Sequence, residues 1–61
     1  MDFLKRAQEY ANDHGHGLEF NHYYGMFRDE YSVRDSVWKA LSWLYGYDIA
    51  DDVEKVAHVH H

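Results

Sequence analysis

Between Ser32 and Tyr47 the chain encodes a helix with more apolar surface than one core can use. At about 100° per residue, Val33, Val37, Ala40, Leu41 and Leu44 fall on one narrow stripe, which seats the helix on a core. Trp38 and Tyr45, seven apart, widen that stripe on one side, and Trp43 widens it on the other. The resulting arc covers roughly 220°, where an ordinary surface helix needs about 100°. Either the rest of this short chain wraps the helix, or part of its aromatic surface is offered to a second molecule.

Size sharpens that choice. Sixty-one residues make one domain, spanning residues 1–61. A domain so small buries only about 60% of the surface its unfolded chain exposes. Disulfides, a metal or oligomerisation commonly compensate. Cysteine is absent, which excludes the first and any Cys-based zinc site. What remains is a supply of two Trp, six Tyr and three Phe, together with six His. Aromatic side chains bury large areas, and they are also enriched where proteins meet.

The pattern along the chain predicts an all-α fold, a small compact bundle of three to four short helices. Asp2 is a suitable N-cap for a first helix, with Phe3, Ala7, Tyr10, Ala11 and His14 on its inner face and Gly15 and Gly17 at its end. From Leu18 to Tyr31, a short alternation (Leu18, Phe20, His22) resembles a strand. However, Phe20, Tyr23, Tyr24, Phe27 and Tyr31 follow helical spacing, so a second helix is expected, with residues 18–24 the ambiguous part. Gly25 costs that helix about 1 kcal/mol relative to alanine, unless it marks a kink or a close contact. Ser32 caps the third helix, with Asp35 in capping-box position, and Gly46 ends it. Asp48 is expected to cap a fourth, whose inward stripe is Ile49, Val53, Val56, Ala57 and His60.

Charge restricts function. Eleven acidic against six basic residues give a net charge of −5. The basic residues (Lys5, Arg6, Arg28, Arg34, Lys39, Lys55) form no patch or stripe, so direct nucleic-acid binding is disfavoured. A helix-turn-helix reading across Gly46 would bring Asp48, Asp51, Asp52 and Glu54 against phosphates with only Lys55 to offset them. The inverse reading, an acidic DNA mimic that inhibits a DNA-binding protein, is a lesser alternative. Duplex DNA carries one charge per about 1.7 Å of axis, far denser than this chain. No apolar run is long enough for a membrane span, and Met1 to Arg6 is not a signal peptide, so a cytoplasmic protein is expected.

Six histidines raise a metal-binding alternative through His14, His16, His58, His60 and His61. Neither cluster has the His pair with intervening Glu that marks a zinc hydrolase, and no cofactor is expected. A histidine at a helix C-terminus such as His14 is explained equally by the helix dipole. Catalysis has no support. Ser32 serves as a cap, Ser36 and Ser42 fall on the polar side of their helix, and Asp29, Glu30 and Asp35 read as solvated acids. So short a chain also leaves little room for a closed pocket of roughly 300 Å³.

The expectation is therefore a non-enzymatic protein–protein interaction module, acting as a regulator, inhibitor or accessory subunit and forming a homodimer. Some viral proteins that disable host enzymes share this build, which is an analogy of size and charge alone. Trp38, Leu41 and Tyr45 are the expected anchors, with Trp43 and Tyr31 as secondary ones. Arg34, one turn before Trp38, is placed to cover its ring. Asp48, Asp51, Asp52 and Glu54 would steer a basic partner, with nucleic-acid-binding proteins among the candidates.

Overall fold

The computed structural model describes residues 2–58 and contains four helices: α1 (Phe3–Asp13), α2 (Gly17–Arg28), α3 (Val33–Tyr45) and α4 (Tyr47–His58). Each boundary has a local cause. The Asp2 carboxylate accepts from the Leu4 amide at 3.0 Å and starts α1. Its end is a Schellman motif: His16 N donates to the Ala11 carbonyl at 2.7 Å and Gly15 N to Asn12 at 3.0 Å. That geometry puts Gly15 at φ 76°, a conformation glycine adopts without strain. Ser32 Oγ accepts from Asp35 N at 3.2 Å and opens α3, while the Asp35 carboxylate is taken by Arg34 Nη1 at 3.1 Å.

The over-apolar helix is mostly wrapped. α3 touches the three other helices, whereas α2 and α4 do not meet among the described residues. The buried core draws Phe3, Ala7 and Ala11 from α1, Phe20 from α2, Val37, Ala40 and Leu41 from α3, and Ala50, Val53 and Ala57 from α4. Half of these ten are alanines, so backbones approach closely and little volume remains to be filled. A collar of partly buried groups (Tyr10, Tyr23, Tyr24, Phe27, Trp38, Tyr45 among them) seals the edges. This suits a chain too short for a larger interior.

Several expectations need correction. Residues 18–24 are helical, as expected, but Gly17 opens α2 instead of closing α1; a Cβ there would collide with the Asn12 side chain. Tyr31 lies beyond the end of α2 in the turn before α3, and His14 is an exposed C-cap. α4 starts at Tyr47, which places Asp48 inside its first turn instead of at the cap. Val33 and Val56, expected in the core, are about half exposed, because neither helix end is covered on that side. Ser36, expected on the polar side, is fully buried, and its hydroxyl donates to the Tyr31 carbonyl at 3.4 Å. That bond satisfies a group that would otherwise be costly to bury. His60 lies outside the described residues.

α2 runs through Gly25 without interruption, and a Cβ there would meet nothing within 4 Å. No neighbour requires glycine at this position. Gly25→Ala is therefore expected to stabilise the domain by about 1 kcal/mol, raising the melting temperature by roughly 4–8 °C in a circular-dichroism melt.

Candidate protein-binding surface

The expected anchors separate into three environments. Leu41 is fully buried in the core and offers nothing to a partner. This corrects its assignment: at the junction of stripe and flank, the packing of three helices around α3 decided for the stripe. Tyr45 is also largely consumed internally. Its hydroxyl and His16 Nδ1 are hydrogen bonded at 2.7 Å, and its ring meets Tyr10 edge-on at 5.0 Å and 80°. Desolvation by burial, followed by the neighbouring Tyr10 and Glu19, raises the Tyr45 pKa and keeps the phenol neutral. Trp38 and Tyr45 thus share a flank of α3 without sharing a patch, because α1 and the α1–α2 turn cover the Tyr45 end.

Trp38 faces α4. Its ring stacks on Tyr47 at 5.4 Å with 22° between the planes, and its Nε1 donates to Asp51 Oδ1 at 3.2 Å. Tyr47 is 71% exposed, so the outer face of the pair is open to solvent. Tyr31 is exposed nearby, with Lys39 Nζ 4.6 Å from its ring centroid. Tyr31 and Trp38 both line an open cleft of about 370 Å³ with Arg34, Asp35 and Lys39. The Arg34 guanidinium does not cover Trp38 as expected. Instead its Nε and Nη2 donate to the two Glu54 carboxylate oxygens, each at 2.7 Å. Hydrogen bonds to Glu54 and then Asp35 raise its pKa further, so this clamp stays charged at all physiological pH values.

The acidic set is divided by these contacts. Glu54 is neutralised by Arg34, and Asp51 holds the Trp38 indole. Asp48 and Asp52 are exposed, and Asp52 faces α1 across a second open cleft of about 280 Å³. Both clefts are open grooves and not closed pockets. Trp43 stands on the opposite flank of α3, 68% exposed, with its ring 5.9 Å from Tyr23. The structure therefore brings Trp38 and Tyr31 together, adds Tyr47 and Lys39, and leaves Trp43 apart. Tyr47 was readable in principle, since one glycine links two helices and sets neighbouring first and last turns side by side.

His14 and His16 both pack against the Tyr45 ring, and each has its own hydrogen-bond partner. His14 Nδ1 donates to the Tyr10 carbonyl at 2.8 Å and its ring stacks on Tyr10, while His16 is engaged with Tyr45. His58 is the last residue of α4, and His60 and His61 lie outside the described residues. Among the described residues, no group of three or more His, Asp or Glu could hold a metal ion. No helix among them is long and apolar enough to cross a membrane.

Comparison with protein-family descriptions, curated proteins and solved structures finds no match to this chain.

Proposed function

We propose that this protein is a small cytoplasmic interaction module, regulating, inhibiting or assisting a second protein by contact and not by catalysis. The reading rests on the Trp38–Tyr47 stack. Its indole edge is pinned by Asp51, its outer face is solvent-exposed, and Tyr31 lies beside it across a cleft. Tryptophan and tyrosine dominate binding hot spots. Side chains already held in one arrangement lose little entropy on docking, so such a surface binds more tightly for its area. A net charge of −5 favours a basic partner by accelerating encounter. Trp43, exposed beside Tyr23, favours in addition a symmetric homodimer, in which one patch serves both copies.

Affinity capture from native cell extract tests this reading. Trp38→Ala and Tyr47→Ala, each confirmed folded by circular dichroism, are expected to reduce retained partner roughly 30-fold, as loss of about 2 kcal/mol at a hot spot implies. Equal retention by wild type and both variants would overturn the assignment of this face. Sedimentation equilibrium of the purified chain separates self-association from capture of a foreign protein.

A further inference from the structure

The outer face of α2 is left uncovered by the other helices. Leu18, Glu19, Asn21, His22, Gly25 and Met26 are all exposed along it, Leu18 to 85%. Leu18, His22 and Met26 stand four residues apart and so form one line along the helix. Beside that line the patch continues in rings. His22 meets Tyr23 edge-on at 5.4 Å, and Tyr23 lies 5.9 Å from the exposed Trp43 of α3. Charge is sparse here: α2 carries two charged residues, Glu19 in its first turn and Arg28 in its last, whereas α1 carries four and α4 five. Gly25 is a second, independent feature. Glycine inside a helix destabilises it, yet α2 is unbroken there and an added Cβ would meet nothing within 4 Å. Neither a break in the helix nor packing within the chain accounts for it.

We infer that this face, with Tyr23 and Trp43 at its side, docks a second copy of the chain, whose α2 lies antiparallel across a two-fold axis at His22. The stripe is symmetric about that residue, so the axis sets Leu18 of each copy opposite Met26 of the other. Next to Met26, the missing side chain of Gly25 leaves a hole, which Leu18 of the second copy enters. Glycine thereby admits a neighbouring helix more closely than any other residue would. Antiparallel α2 helices also bring the acidic end of one towards the basic end of the other and oppose their dipoles. Two copies of net charge −5 repel, so they meet where charge is sparse. A basic foreign partner would instead be drawn to the acidic α4. α2 is about 18 Å long, and with the adjoining flank of α3 the patch is roughly 20 Å wide. Two such faces bury on the order of 1,000 Å², the low end of specific interfaces, where association is transient.

This inference rests on the homodimer reading above, for which it names the surface, and it is independent of the Trp38 face. The test is a concentration series of the ¹⁵N-labelled chain, from about 20 µM to about 2 mM, with sedimentation equilibrium for the mass. A dimer dissociating at about 100 µM is expected, with amide shifts centred on Leu18, His22, Gly25, Met26 and the Trp43 indole. Leu18→Glu should abolish the concentration dependence; the fold is retained, since the position is exposed and an acid suits the first turn of a helix. Gly25→Ala is the sharper variant. At about 20 µM it should raise the melting temperature of the monomer, as argued above, yet it should weaken dimerisation roughly tenfold by filling the hole. An apolar patch without close packing would show the reverse, because the added methyl firms the helix and enlarges the patch. Trp38→Ala should leave self-association unchanged. A monomer at about 2 mM would overturn both this proposal and the homodimer reading. A dimer whose shifts lie elsewhere, which survives Leu18→Glu, or which Gly25→Ala leaves equal or tighter, would overturn this surface alone.

Discussion

Phe20→Ala is expected to leave most of the chain unfolded, or to lower its melting temperature by at least ~12 °C. Phe20 is the largest side chain buried without residual exposure, and it is the sole fully buried contribution of α2 among the described residues. Truncating a buried phenylalanine costs about 3–5 kcal/mol, because the transfer energy of the ring is lost and the gap closes only in part. Domains carry roughly 0.05–0.15 kcal/mol of stability per residue, or about 3–9 kcal/mol for this length, so the loss is comparable with the whole. The surrounding alanines cannot reach into the space the ring leaves. Thermal and urea unfolding followed at 222 nm measure the effect. A loss below ~1 kcal/mol would mean that Tyr24 and Phe27 refill the site, and that α2 is held from its edges.

Gly46→Ala is expected to cost about 1–3 kcal/mol, for a reason unrelated to packing. Gly46 is the only residue between α3 and α4, and it sits at φ 92°, ψ 170°, a region essentially confined to glycine. A Cβ there would meet no atom within 4 Å, so the penalty is one of backbone conformation alone. Gly25→Ala is the matched control, since that position is equally open but helical, and the same substitution should stabilise. The two effects should therefore have opposite signs in one melting assay. Because Gly46 sets how α4 leaves α3, its substitution should also disturb the Trp38–Tyr47 stack and alter the near-ultraviolet circular dichroism. An unchanged melt and spectrum would show that the connection relaxes to a conformation alanine tolerates.

Most of the fold could be read from residue order. Helical spacing of apolar groups predicted three to four helices, of which four form, and the caps at Asp2 and Ser32 and the stop at Gly46 are each confirmed by a bond or a dihedral angle. The failures cluster at helix ends. Val33 and Val56 satisfy the apolar period yet are half exposed, because periodicity says which face a residue occupies and not how far a neighbouring helix extends over it. Ser36 failed in the opposite direction, since a hydroxyl that finds the Tyr31 carbonyl can be buried at little cost.

The candidate surface was legible only in part. Trp38 and Trp43 were identifiable as surplus aromatic area and Tyr31 as a secondary anchor, and all three remain at least partly exposed. Tyr45 was surplus by the same count, and Leu41 was an expected anchor on the core stripe, but they are claimed by His16 and Tyr10 and by the core around Phe20. Arg34, one turn from Trp38, found a better partner in Glu54, since two charge-assisted hydrogen bonds outweigh an exposed cation–ring contact.

The order of residues was thus sufficient for the class of fold, the approximate course of each helix, the lack of any disulfide and the excess of aromatic area around α3. These follow from local propensities and from periods of three to four residues, which act within one helix. Which aromatic groups are spare, which acids are paired, and that an open cleft lies between α1 and α4 depend on contacts between residues far apart in the chain. Those contacts are set by how closely alanine-lined helices approach and by the path through Gly46, and neither quantity is carried by a single helix.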